Sequence, residues 1–174
     1  GRCAREVPVI VADDGSTADI ASVVEASPLD VTLVRQEHDG NGAARARNLG
    51  AAHAGDVDVL IFVDADCIPH PDLVANHLAW HTASESVVTI GRRVHVRVAD
   101  IPIESIASGE ADLETRIQTG FSGRPDFRTV LQRRTARSTA GDEAFRTFVS
   151  SNVAVPRFLF EATGGFADRF PHWG

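Results

Sequence analysis

Residues 57–63, VDVLIFV, are apolar at every position except Asp58, and the run stops abruptly at Asp64-Ala65-Asp66. A run this short, bounded by polar residues and by Pro69 and Pro71, predicts a strand covered on both faces of a sheet. VPVIVA (7–12), VTLVR (31–35) and FVSSNVAVP (148–156) predict further strands. Helical segments fall between them. ADIASVVEA (18–26) is ended by Pro28, and AARARNLGAAHAG (43–55) has Gly55 as its stop. PDLVANHLAWH (71–81) carries Pro71 in its first turn, and RFLFEATGG (157–165) is stopped by Gly164 and Gly165. Residues 86–98 alternate, with Val88, Ile90, Val94, Val96 and Val98 on one face and Arg93, His95 and Arg97 on the other. They predict one half-exposed strand with a bulge at Gly91-Arg92. Together these elements predict an α/β fold, a mostly parallel sheet flanked by helices.

Three details refine that outline. In DDGST (13–17), Gly15 supplies a sharp strand-to-helix turn, and Ser16 is expected as N-cap with Asp19 completing an approximate capping box. Two adjacent acids, Asp13 and Asp14, stand at a strand's carboxyl end, where they must be solvated or hold a ligand. In the 43–55 helix, Ala46, Leu49 and Ala52 are expected to form a small apolar face for close packing on the sheet. Arg45 and Arg47 point in different directions.

The chemistry concentrates at Asp64 and Asp66. In an open α/β sheet, ligands bind outside the carboxyl ends of strands. Alternation along an extended chain would put both carboxylates on one side. Such a pair repels unless a cation or donors hold it. Mg²⁺ is usually held by one or two carboxylates together with substrate phosphates.

Bulk properties remove several alternatives. The 174 residues, 43% hydrophobic, suffice for one domain with a core. A net charge of −7 leaves no basic stripe for a nucleic-acid backbone. All 17 basic residues are Arg, so no Lys is available as a Schiff-base former. Cys3 and Cys67 make no disulfide framework, which fits a reducing compartment. No run approaches the ~20 apolar residues of a membrane helix. Residues 100–147 mix Gly, Pro, Ser and Arg and read as a long, largely irregular segment.

Three segments in order carry a family likeness: VIVADDGST, GNGAARARNLGAAHAGDVDVLIFVDADCIPHP and SSNVAVPRFLFEATGGFADRFPHWG. Together they resemble the family-2 type of glycosyltransferase with the GT-A fold, whose sheet is Rossmann-like. The middle segment is the most specific, running Gly42, Ala46-Arg47-Asn48-Leu49-Gly50, Gly55-Asp56, then the strand ending in Asp64-Ala65-Asp66. The resemblance implies metal-dependent, inverting transfer from a nucleotide-diphosphate sugar, UDP-sugar favoured, to an acceptor hydroxyl. It implies that Asp13, Asp14, Arg47 and Asp64 contact the nucleotide. Asp66, with Asp64, would bind Mn²⁺ or Mg²⁺. Ser151, Asn152, His172 and Trp173 would fall on the acceptor and sugar side, and 100–147 would be the variable acceptor-side segment of a single domain, 1–174. The family's opening strand is not matched before Val7, and its usual catalytic base is expected beyond Gly174. The 174 residues are therefore expected to lack that base and part of the nucleotide pocket. Glycan, lipid and small-molecule acceptors all remain open. The expected location is cytoplasmic, with peripheral membrane association open. A non-catalytic nucleotide-sugar-binding fragment and a sugar nucleotidyltransferase stand as alternatives.

Overall fold

A computed structural model of the protein describes residues 7–40, 42–118, 130 and 148–169. The elements in order are β1 (Val9–Asp13), α1 (Ile20–Glu25), β2 (Val31–Arg35), α2 (Ala43–Ala52), β3 (Val59–Val63) and α3 (Leu73–Ala83). They continue with β4 (Thr89–Ile90), β5 (His95–Val96), α4 (Ile103–Ala107), a 3₁₀ turn (Glu114–Arg116), β6 (Ile117–Gln118), β7 (Asn152–Pro156) and α5 (Arg157–Ala162). No helix among the described residues is long and apolar enough to cross a membrane.

The chain divides into two compact units. The first takes the described residues of Gly1–Phe62, Leu78–Val88 and Ala154–Gly174. In it β1 and β2 run parallel, in register from Val9 opposite Val31 to Asp13 opposite Arg35. β3 lies beside β7. The Arg157 N–H extends that contact, donating to the Asp58 carbonyl at 2.8 Å. Helix α2 approaches β1 closely because small residues face it: a Cβ placed on Gly50 would lie 3.3 Å from the Ala12 Cβ. The buried helix positions are Ala44, Ala46 and Ala51, whereas Ala52 is exposed and Leu49 half-buried. The apolar face is thus turned from the one expected through Ala46, Leu49 and Ala52. Ala46 of the expected face does turn inward, but it is joined there by Ala44 and Ala51, not by Ala52.

The second unit takes Val63–His77 and the described residues of Thr89–Val153. Here the Gly91 N–H donates to the Asn152 carbonyl at 2.9 Å, tying the end of β4 to the start of β7. β5 and β6 pair antiparallel, His95 opposite Gln118. The alternating segment 86–98 is therefore two short strands, not one. It breaks at Gly91-Arg92, where a Cβ on Gly91 would stand 2.2 Å from the Asn152 side chain. Close backbone packing at that point, which periodicity cannot register, outweighs the continuous pattern.

The α1 start also differs from expectation. Asp19, not Ser16, is the N-cap, accepting from the Ser22 N–H at 3.2 Å. Ser16 is engaged one turn earlier, its N–H donating to Asp13 Oδ1 at 2.9 Å. The helix therefore begins only after the DDGS turn has closed. Gly164 and Gly165, both at positive φ, follow α5 as expected.

Candidate functional site

In the first unit, the end of β1 delivers two carboxylates into different surroundings. Asp13 is buried, and the Arg35 Nε stands 3.1 Å from its Oδ2. That contact lacks hydrogen-bond alignment, so Oδ2 is left without a hydrogen bond. Ser16, first through its hydroxyl and then through its backbone N–H, holds the Asp13 carboxyl below the usual carboxylate range. Burial opposes the shift and Arg35 adds to it. A depressed carboxyl contributes stability that is complete above its ordinary value near 3.8 and is lost as pH falls through the lower folded-state value. Asp13→Asn is therefore expected to lower the urea midpoint at pH 7. The gap to the parent protein should close as the titration is carried below pH 3.8.

Asp14 is half-buried and sits in a ring of donors. Gln36 Nε2 donates to Oδ1 at 2.5 Å and His38 Nδ1 to Oδ2 at 3.0 Å. Burial, the largest influence, pushes this carboxyl up, but the hydrogen bonds from Gln36 and His38 together outweigh it and the net shift is downward. Gly42, the glycine before α2, makes this arrangement possible, since a Cβ there would lie 1.9 Å from Asp14 Oδ1. Gly42→Ala must therefore displace the carboxylate. The end of a side chain moves cheaply, so thermal stability should change little. If Asp14 meets the nucleotide, UDP affinity should fall about tenfold, matching Asp14→Ala in a calorimetric titration.

Arg47 lies on α2 of the same unit, with its guanidinium carbon 5.6 Å from the centre of the Phe166 ring. Its neighbour Asn48 grips the backbone of that same residue. Asn48 Nδ2 donates to the Phe166 carbonyl at 2.8 Å, and the Phe166 N–H donates to Asn48 Oδ1 at 2.9 Å. The Phe166 ring packs edge-on against Phe62 at 5.0 Å and Phe160 at 5.7 Å. Sequence reasoning assigned no role to Asn48 or Phe166. The available signal was a polar residue centred on an apolar helical stripe. A groove of about 320 Å³ lies beside them, lined by Asn48, Ala51, Ala52, Arg157, Phe160 and Glu161, among others.

In the second unit, the Asp64–Asp66 stretch is not extended. The Cys67 N–H donates to the Asp64 carbonyl at 3.0 Å, closing a turn immediately after β3. Asp64 and Asp66 are thus the first and third residues of a turn, not alternate residues of a strand. Asp64 is half-buried and Asp66 exposed. Among the described residues no three His, Cys, Asp or Glu side chains gather as metal ligands. The donor set is two carboxylates, which suits a Mg²⁺ or Mn²⁺ ion whose remaining ligands are substrate oxygens and water. The turn also carries a negative field: burial first, then the charges of Asp66 and Asp64, push the Cys67 thiol up, with Arg93 opposing.

The same unit holds a second feature missed in the sequence. His77 is buried, with Nδ1 2.6 Å from the Thr89 hydroxyl and Nε2 2.8 Å from Asn152 Oδ1. Asn152 Nδ2 donates to the Arg92 carbonyl at 3.2 Å. Because Asn152 donates through nitrogen there, its Oδ1 must accept from His77, which assigns the imidazole proton to Nε2. Ser151 is 1% exposed and receives Arg93 Nη1 at 3.5 Å. Ser151 and Asn152, expected on the acceptor and sugar side, are both engaged with the 91–93 segment, Ser151 in the interior and Asn152 half-buried. His172 and Trp173 lie outside the described residues.

The family model described as Glycosyl transferase family 2 matches residues 3–140, well over half of the chain. The chain is 29% identical over 178 residues to the hyaluronan synthase of Pasteurella multocida, a match covering 95% of this chain and 18% of that protein. It is 28% identical over 179 residues to the chondroitin synthase of Escherichia coli, covering 95% of this chain and 26% of that one. An uncharacterized glycosyltransferase of Bacillus subtilis is 37% identical over 90 residues, which is 51% of this chain and 23% of the relative. The chain thus spans about a quarter or less of the length of the curated relatives it matches.

Proposed function

Because the chain belongs to glycosyl transferase family 2, we propose that it moves a sugar from a nucleotide-diphosphate donor, a UDP-sugar first, to an acceptor hydroxyl in the cytoplasm. The family is one of glycosyltransferases, and the α/β architecture of the chain, with a parallel sheet and flanking helices, is that of the GT-A fold. In this reading residues 1–174 form one transferase domain, with 100–147 on the acceptor side. The names of the hyaluronan and chondroitin synthases favour a growing polysaccharide as acceptor.

The observation that carries the donor assignment is the end of β1. Asp13 and Asp14 are held ionised there, and Asp13 Oδ2 is a buried acceptor without a hydrogen bond. Such an oxygen suits the N–H of a nucleobase, and Asp14 suits a ribose hydroxyl. Arg47 would meet the negatively charged part of the nucleotide. Asp66, with Asp64, would hold Mn²⁺ or Mg²⁺. When bound, that ion stabilises negative charge building up on the leaving diphosphate. A carboxylate would take the acceptor proton as the acceptor oxygen displaces the nucleoside diphosphate from the anomeric carbon, and this single displacement would invert the centre.

The test is a calorimetric titration with UDP in the presence and absence of Mn²⁺, repeated with GDP and followed by an assay of donor hydrolysis. Metal-enhanced UDP binding with hydrolysis is expected. A preference for GDP would overturn the donor assignment. Binding without hydrolysis by the protein would favour a nucleotide-sugar-binding module over an enzyme.

A further inference from the structure

Adjacent residues of α2 converge on one residue from two sides. Asn48 holds the Phe166 backbone through both its donor and its acceptor, at 2.8 and 2.9 Å. Arg47 lies over the Phe166 ring, 5.6 Å from its centre. The ring is fixed in turn by Phe62 and Phe160. The turn that brings Phe166 there leaves no latitude: Gly165 has φ +74°, and a Cβ on it would stand 2.7 Å from Asn48 Oδ1. A long arginine side chain loses much rotamer freedom when it must hold one position for a ligand. A ring beneath the guanidinium removes part of that cost before the ligand arrives.

We propose that Phe166 is a positioning residue for Arg47, its ring holding the guanidinium ready for the nucleotide and its backbone locked to the same helix by Asn48. The inference rests on the reading of Arg47 as a nucleotide contact. It deepens that reading by assigning a role to the Gly164-Gly165-Phe166 turn, more than a hundred positions away in sequence.

Because Asn48 grips only backbone atoms, Phe166→Leu removes the ring and leaves the clamp. Phe166→Tyr keeps the ring. Phe160→Leu is the packing control: it removes one ring of the cluster and keeps the Phe166 ring. UDP dissociation constants with Mn²⁺ and thermal midpoints are measured for all three variants and the parent protein. Phe166→Leu is expected to weaken UDP binding about fivefold, and Phe166→Tyr to stay within about twofold. Phe160→Leu should lower the thermal midpoint and weaken UDP binding clearly less than Phe166→Leu does. Parent-like affinity in Phe166→Leu would overturn the proposal, as would equal losses in Phe166→Leu and Phe160→Leu, because affinity would then follow packing alone. Absence of UDP binding by the parent protein would instead remove the nucleotide reading itself, and this inference with it.

Discussion

Asp66→Ala is expected to weaken Mn²⁺-dependent UDP binding at least about 100-fold, a loss of ~2.7 kcal/mol, with binding in the absence of metal unchanged. The Cys67 N–H and the Asp64 carbonyl close a turn immediately after β3. It offers two carboxylates, and among the described residues no three His, Cys, Asp or Glu side chains gather as metal ligands. A cation held by so few protein ligands depends heavily on each of them. Asp66 is exposed and caps no helix, so its removal should leave the thermal midpoint in place. That separates a metal effect from a folding effect. Unchanged Mn²⁺ dependence in the variant would place the ion elsewhere. Asp64→Ala should act in the same direction, but the half-buried position of Asp64 makes its stability effect harder to separate.

His77→Ala is expected to cost about 3 kcal/mol of folding stability, read as a fall of about 1–2 M in the urea midpoint. The imidazole is buried and joins α3 to Thr89 and to Asn152. Its loss opens a cavity and leaves the Asn152 oxygen without its donor in the interior. The Asn152 amide also holds the Arg92 carbonyl, so the break at Gly91-Arg92 should loosen as well. His77→Gln offers a useful contrast. The Gln amide nitrogen reaches the position of the imidazole Nε2, so it should restore the bond to Asn152 and recover roughly half of the loss. A midpoint unchanged in His77→Ala would mean that water replaces the ring without cost, and the clamp would then have no energetic weight.

The elements themselves were largely legible in the sequence. β2 falls at Val31–Arg35, where VTLVR places it, and β3 ends at Val63, immediately before the two acids. Short apolar runs and glycine or proline stops report directly on local backbone preference. Elements failed where two distant backbones meet. The alternation across 86–98 predicted one strand, but Gly91 packs against the Asn152 side chain and the ribbon divides there. The cap of α1 moved from Ser16 to Asp19 because Ser16 is occupied by Asp13.

For the candidate site, the sequence by itself determined which residue types stand at the strand ends: Asp13 and Asp14 after one apolar run, Asp64 and Asp66 after another, and an Arg-Asn pair on the intervening helix. That order follows from local chemistry, since strand, turn and helix signals each span only a few residues. Only the tertiary structure decided what surrounds them. It buried Asp13 and spared Asp14 a clash by placing Gly42 beside it. It folded Asp64–Cys67 into a turn, and set Phe166 under Arg47 and His77 against Asn152. Those contacts join residues 75 to 119 positions apart in some cases. Hydrogen-bond partners, close glycine contacts and burial at such separations depend on how the elements pack, and no window of sequence carries that information.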